Sequence, residues 1–554
     1  MAKNVLTAWQ RLISMLKLDK RDVYQTFYYA IFAGLVNLSL PIGIQAIINL
    51  IQGAQISTSW IILVVLVTGG VAFAGLLQIM QIRIIENLQQ KIFVRASFEF
   101  TYRFPKIKMS ELRNYYPPEL ANRFFDTLNV QKGLSKIMLD FPASILQIIF
   151  GLILLSFYHP FFIIYGLLLL LLIYVVFKYT AQKGMDTSLD ESKLKYQVAH
   201  WIQEVARSLV SFKLSGKTNL AVTKNDSLVT HYLKARESHF RVLLLQFIQM
   251  IGFKVLVTAG LLLIGGLLVL NQEMNIGQFV AAEIIILLVI TSVEKLIRGL
   301  ETFYDLLTSL EKMGQVVDKE LEDQDGDTPF TEQEDMTIEL NNVSLTVPGG
   351  KTILNEISLK IEPRSKYLIT GPNGSGKSTF LRLIAGIIEP TGGNVYVNDI
   401  SLNGINFNHY RSFLGQSLTE ETPFEGTIWE NITFGNKEIS QKDLHWALEG
   451  VGLLQFVKEQ SLGLKTIIYP EGMQIPHTVA KKIVLARSIV TKPKVLLLKD
   501  PLNLFDDVES QKIMEFLTDK NQPWTLIVAS QDPRWKQNCH KVITMNKGRI
   551  VSSK

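Results

Sequence analysis

Six apolar runs, at 23–48, 60–82, 141–158, 161–177, 242–270 and 276–293, crowd the first 300 positions of a 554-residue chain, and the remainder reads as soluble. Each reaches the roughly 17 residues that just cross a bilayer as helix, and three exceed the usual ~20. This length would ordinarily hold three or four domains of about 150 residues each. The clustering predicts instead one membrane half and one globular half. With 48% hydrophobic and 19% charged residues, a disordered or fibrous chain is excluded. The formal net charge of +6 is not gathered on an aromatic-laced basic stretch, so nucleic acid is not an expected partner. Cys539 stands alone and can form neither an internal disulfide nor a thiolate cluster; it reads as inert, and a cysteine-protease accessory domain is not expected.

The first run follows a charged stretch at 17–22, is too long for a cleaved signal core and precedes further spans, so it is expected to stay in the mature protein. The short connections 49–59, 159–160 and 271–275 carry no Lys or Arg, whereas 83–140 carries ten. Cationic loops stay cytoplasmic, which predicts a multi-pass protein of the cell membrane with both termini and both long connections inside. The connections 83–140 and 178–241 are too long for structureless loops and are expected to extend the spans as helix. Tyr116-Pro117-Pro118-Glu119-Leu120 and Leu214-Ser215-Gly216-Lys217-Thr218 interrupt that pattern, and each is a candidate tip that touches a cytosolic domain. At 1–22, Trp9, Leu12, Ile13 and Leu16 share a face, as in an interfacial helix; a plain soluble helix is the alternative. Within the apolar runs, Lys254 reads either as a snorkelling residue or as a functional one, and Glu283 as facing either a water-filled pathway or a helix partner.

From 318 to 335 the chain turns acidic, with Gly326 and Pro329 and no apolar periodicity, which predicts a solvated tether at a domain boundary. Beyond it, a β-like run leads into Gly371-Pro372-Asn373-Gly374-Ser375-Gly376-Lys377-Ser378-Thr379. This is the pattern G-x-x-x-x-G-K-[ST], in which glycines let backbone N–H groups surround phosphates and a new helix directs its positive end at them. Lys377 would meet the β- and γ-phosphates of a nucleotide, Ser378 would ligand Mg2+, and Thr379 would add a phosphate contact.

Six spans, two long inner connections and a phosphate loop in that order resemble an ABC exporter half-transporter over nearly the whole chain. The resemblance implies an α-helical six-span ABC exporter transmembrane domain at 23–317, after the N-terminal helix at 1–22. The linker at 318–335 then leads to an α/β P-loop NTPase domain, the ABC cassette, at 336–554. Gln416 looks like the Q-loop glutamine, a nucleotide and Mg2+ contact. Ile483-Val484-Leu485-Ala486-Arg487 resembles the helix after the signature motif, and Lys492-Pro493-Lys494-Val495-Leu496-Leu497-Leu498 the Walker B strand. Leu40-Pro41-Ile42-Gly43-Ile44-Gln45 is most similar to exporters of peptides and proteins, here without their N-terminal peptidase domain.

The departures from the family pattern fall on the chemistry. Lys499 occupies the position of the Mg-binding aspartate, Asp500 that of the catalytic glutamate and Gln531 that of the switch histidine. The shorter Asp500 carboxylate sits about 1 Å from where glutamate would place it, a displacement that can cost on the order of 100-fold. Gln531 cannot carry an imidazolium charge. The signature position reads Ile475-Pro476-His477-Thr478-Val479 without its glycines, and Val347 stands where an aromatic would stack on adenine. No ligand pattern accompanies His477, so zinc is not expected there.

The resemblance therefore implies an ATP- and Mg2+-binding exporter subunit in a lipid bilayer, with weak or no hydrolysis of its own. It also implies a second half-transporter subunit, a heterodimer being favoured over a homodimer, and an unidentified cargo for which peptide or protein is the subfamily's suggestion. A non-transporting, ATP-sensing membrane scaffold and a full enzyme with shifted catalytic residues stay open. Lys499 either replaces part of the metal's charge, weakening metal dependence, or points to solvent.

Overall fold

The computed structural model describes residues 6–52, 58–323, 325–418 and 421–553. The chain divides into a helical unit, 1–106 with 114–319, and a second unit, 107–113 with 320–554. In the first, α1 is Ala8–Leu18, α2 Lys20–Asn37, α3 Ser39–Gln52 and α4 Thr58–Arg103. After α5 (Met109–Leu112) and α6 (Pro117–Ala121) come α7 Asp126–Ser156, α8 Phe161–Arg207, α9 Leu209–Leu214, α10 Leu220–Leu270 and α11 Ile276–Val317. Among the described residues five helical stretches are long and apolar enough to cross a membrane, and α8 adds a shorter apolar stretch, Phe161–Leu171. Part of the short connection 49–59, at 53–57, lies outside the described residues.

The first apolar run is not one helix. Pro41 has no N–H and its ring clashes with the carbonyl four residues back, so the run breaks at Leu38 and Pro41 falls in the first turn of α3, where proline is tolerated. The long connections continue as helix through Arg103 and Arg207. Where α7 meets α11, Gly299 admits the ring of Phe141, which a Cβ would meet at 2.4 Å. Leu12 of α1 is buried in a cluster with Ile85, Leu88, Val130, Leu134 and Leu306. Its neighbour Arg11 forms a bidentate ion pair with Asp318. Thus α1 packs on the helical unit itself, with Trp9 exposed and edge-on to Phe303. Lys254 is exposed on α10 and Glu283 half-buried on α11, and neither makes a hydrogen bond or ion pair among the described residues.

The piece of the first long connection that joins the second unit is 107–113, ahead of the expected tip at Tyr116–Leu120. Ile107 bridges Leu321, and the Lys108 ammonium pairs with Glu320 at 2.8 Å and Glu389 at 3.4 Å. Pro117 and Pro118 open α6 instead of breaking a helix, because proline suits a first turn. At the other expected tip Gly216 takes φ +65° in the turn between α9 and α10.

The second unit is built on a six-stranded sheet in the order β12-β11-β3-β10-β9-β6, with a four-stranded antiparallel sheet β2-β1-β4-β5 and a small pair β7-β8. The strands are β1 Ile338–Thr346, β2 Thr352–Ile361, β3 Lys366–Thr370, β4 Gly392–Val397, β5 Ile400–Ser401, β6 Leu414–Ser417, β7 Gly426–Thr427, β8 Ile467–Ile468, β9 Val495–Lys499, β10 Thr525–Ala529, β11 Lys541–Asn546 and β12 Arg549–Ser553. The helices are α12 Lys377–Ile384, α13 Phe407–Ser412, α14 Ile428–Thr433, α15 Gln441–Gly450, α16 Leu454–Glu459, α17 His477–Ile489, α18 Asp507–Leu517 and α19 Trp535–Asn538. Strands β6, β9, β10, β3 and β11 run parallel, and the central β9, β10 and β3 are buried on both faces. Leu497 and Ile527 face one apolar cluster with Phe380 and Ile384, while Leu496, Leu498 and Val528 face another with Ile483, Leu485 and Trp535. Cys539 joins the second cluster, where burial pushes its thiol up to about 12.

Of the acidic segment 318–335, Asp318 pairs with Arg11 in the helical unit, and the stretch from Glu320 onward is pinned to the second unit. Arg411 grips Glu322 with two hydrogen bonds of 2.6 and 2.9 Å, Asp327 bridges Ile405, and Phe330 is buried with its ring stacked on His409. Acidity and the lack of apolar periodicity predicted a solvated tether; every one of these partners lies far along the chain, out of reach of that local pattern. Arg411→Ala should raise the rate at which a Glu-specific protease cleaves at Glu320 and Glu322 about tenfold, since two charge-assisted bonds hold the strap down. An unchanged cleavage rate would show that the Asp327 bridge and the buried Phe330 hold it without Arg411.

Candidate functional site

Parallel strands end along one edge of the sheet, so the residues that follow β3, β9 and β10 converge there. After β3 the chain must turn back into α12 with its N–H groups directed inward, and Gly371, Gly374 and Gly376 supply φ values of +145°, +77° and +100°. A Cβ on Gly371 would lie 2.1 Å from the Met545 carbonyl, so the loop admits only glycine there. Lys377 opens α12 and is 5% exposed; its ammonium donates to the carbonyls of Gly371 at 2.7 Å and Pro372 at 2.9 Å. Burial, and then the positive charge of Lys499, hold that ammonium below the usual lysine range, against a smaller opposing effect of Asp500. Ser378 and Thr379 are half-buried in the first turn of α12, Ser375 is buried, and Pro372, Asn373 and Gly374 are exposed.

Gln416 on β6 is paired in register with Leu497 of β9, two residues before Lys499. Its Oε1 is buried without a hydrogen-bond partner among the described residues. Lys499 ends β9 opposite Ala529 of β10, and its ammonium forms an ion pair with the Asp500 carboxylate. Asp500 takes φ +41° and donates its N–H to the Ala529 carbonyl at 3.0 Å. Gln531 reaches back to the loop, its Nε2 donating to the Gly371 carbonyl at 3.1 Å and to Asn373 Oδ1 at 3.2 Å. The sheet edge thus gathers the phosphate loop, Gln416, Lys499, Asp500 and Gln531.

Sequence reasoning passed over Lys481. One turn into α17 it lies four residues beyond His477, and its ammonium donates to Ser417 Oγ at 3.2 Å. His477, Lys481, Lys499 and Asp500 all line a cavity of about 230 Å3. Burial lowers the Lys481 ammonium from its usual range, opposed by Glu421 and Asp500 and abetted by Lys499. The i,i+4 spacing from His477 was the available signal. Pro476 provides no side-chain cap to α17, and Val347 is half-buried at the β1–β2 turn.

The family model for the ABC transporter transmembrane region matches residues 26–293, and that for the ABC transporter cassette matches 354–503. The chain belongs to the ABC transporters. As an ABC transporter, this chain carries one helical transmembrane domain fused to one α/β nucleotide-binding cassette. It is 22% identical over 475 residues to a putative export ATP-binding/permease protein of Rickettsia bellii, covering 84% of this chain and 81% of that one. To the alpha-hemolysin translocation ATP-binding protein HlyB of Escherichia coli O157:H7 it is 28% identical over 319 residues, covering 56% of this chain but only 45% of that one. A bacterial Atm1-family ABC exporter solved with ATP bound superposes at a TM-score of 0.82 with 16% identity, over 96% of this chain and 95% of the other, and so shares the fold.

An ABC cassette binds ATP, usually with Mg2+, and the residues present fit both unequally. The loop fits triphosphate through its glycines, its helix N-terminus and a pre-positioned Lys377. Ser378 and the unpartnered Gln416 Oε1 would hold Mg2+, which when bound neutralises phosphate charge. At the position where the resemblance places the carboxylate that would complete that donor set stands Lys499.

Proposed function

We propose that this ABC transporter is the ATP-binding subunit of an exporter, in which closure of two cassettes drives release of cargo, and that its own site hydrolyses ATP weakly or not at all. The observation that carries the reading is the Lys499–Asp500 ion pair at the end of β9. A carboxylate held by an adjacent ammonium is a poor orienter of water, and Gln531 is already committed to the loop. A homodimer would repeat these substitutions, and the glycine-free start of α17, at both sites. Turnover therefore falls to a partner half-transporter, and the working form is a heterodimer. Peptide or protein cargo is the best-supported class, given the run 40–45 and the name of the E. coli relative. We further assign both termini and the cassette, 336–554, to the cytoplasm, with weakened metal dependence at the site.

The test uses the purified chain alone and with a co-purifying half-transporter. Stable ATP binding, background hydrolysis alone, and both hydrolysis and vesicle transport in the paired form are expected. Brisk Mg-dependent hydrolysis by the chain alone would overturn the weak-site reading. Binding without transport in every pairing would instead favour an ATP-sensing scaffold.

A further inference from the structure

Within the helical unit, a cavity of about 670 Å3 opens between the stretch 115–123, the last turns of α8, the first turns of α10 and the end of α11. Its cations are Arg123, Lys193, Lys224 and Lys312, against the carboxylates Glu119 and Glu204. Both carboxylates are engaged, Glu119 with Arg123 Nη2 at 2.7 Å and Glu204 with Arg207 at 2.7 Å. Arg123 is only 6% exposed and Lys312 7%. The guanidinium donates through Nε to Gln315 Oε1 at 3.2 Å and lies 3.7 Å from the centroid of the Tyr196 ring. Its Nη1 is buried with no partner among the described residues, and so is Nδ1 of His200 on the same wall. Lys312 makes no hydrogen bond or ion pair among the described residues; its ammonium stands 5.7 Å from the Tyr196 centroid. The nearby Asp126 carboxylate accepts from Tyr196 Oη at 2.5 Å.

A buried guanidinium N–H without an acceptor and a buried ammonium without a hydrogen-bond acceptor are each costly, and here they share one cavity. The remedy is an anion with several oxygens, which a guanidinium and an ammonium engage together. We infer that this cavity binds a soluble phosphate-bearing anion, held by Arg123 and Lys312 from within and by the exposed Lys193 and Lys224 at the rim. A lipid headgroup is too shallow to be the source. Lys193 lies about 24 Å along α8 beyond Phe177, where the apolar run ends, and Lys312 about 28 Å along α11 beyond Val293, at 1.5 Å per residue. The headgroup layer extends only about 5–8 Å past the hydrocarbon on each side.

The probe is inorganic pyrophosphate, titrated calorimetrically into the full chain in phosphatidylcholine nanodiscs. The chain carries Lys377→Ala so that the nucleotide loop does not contribute, which also keeps a failure here distinct from a failure of the ATP reading. Saturable binding of one pyrophosphate per chain is expected. Lys312→Gln should weaken it about tenfold or more, and Lys193→Gln with Lys224→Gln about threefold with a shallower salt dependence. If Lys312→Gln lowers the thermal midpoint enough to suggest misfolding, the exposed rim pair decides alone. The assignment is overturned by the absence of saturable binding, by affinity unmoved in the rim pair, or by binding seen only with phosphatidylinositol phosphate in the bilayer and not with soluble pyrophosphate.

Discussion

ATP affinity of the full chain is expected to fall at least about 100-fold when Lys377 is replaced by alanine. The Lys377 ammonium is held in advance by the Gly371 and Pro372 carbonyls, so little conformational freedom is lost when it turns to a phosphate. It is also 5% exposed, where a charge-assisted hydrogen bond is worth more than at the surface. Two such bonds to a triphosphate, at about 1.5–3 kcal/mol each, amount to roughly 100-fold in affinity or more. Labelled ATP titrated into the solubilised chain measures the loss, with circular dichroism to show that the fold is kept. The loop backbone is built by the glycines and not by Lys377, so the variant should fold. An affinity within about threefold of the parent would mean that triphosphate is held elsewhere.

The glycine turn into α12 was legible because it is local: nine consecutive residues, 371–379, carry both the turn and the new helix. The helical unit was legible for the same reason, since each span is a continuous run. The break at Leu38 was within reach too, Pro41 being in plain view. Features joined across long stretches of chain escaped. Glu322 meets Arg411 from 89 positions away, and that distance hid the folding of the acidic segment onto the cassette. Lys481 and Ser417 are 64 apart, so the third lysine near Asp500 carried no motif. Segment 107–113 was passed over because the diprolyl pair at 117–118 is the louder signal, and the bridge to Leu321 and the Lys108 ion pairs reveal which piece joins the second unit. For Lys499 the sequence located the departure, but its direction, into an ion pair with Asp500, depends on the left-handed backbone at Asp500.

That ion pair sets the largest effect expected of a charge reversal. With Lys499 and Asp500 joined, the end of β9 is close to neutral beside the phosphate loop, and ATP should bind almost as well in chelator as in Mg2+. Lys499→Asp turns the same spot into two adjacent carboxylates, a change of two charges at a position whose side chain is 15% exposed. A unit charge about 4 Å away at an effective dielectric near 20 contributes roughly 4 kcal/mol, and screening leaves a fraction of it. Even a third of that figure is about tenfold in affinity. The sign is fixed by the chemistry: without metal the new carboxylates repel the phosphates, and with Mg2+ they add the anionic donor that Ser378 and Gln416 lack. The ratio of ATP affinity in Mg2+ to that in chelator should therefore rise from near one to at least about ten in Lys499→Asp. Lys499→Met, which removes the ammonium without adding a carboxylate, should weaken binding in both conditions and leave the ratio low. Equal affinity with and without chelator in both the parent chain and Lys499→Asp would remove Lys499 from the electrostatics of the site, whatever the hydrolysis rates.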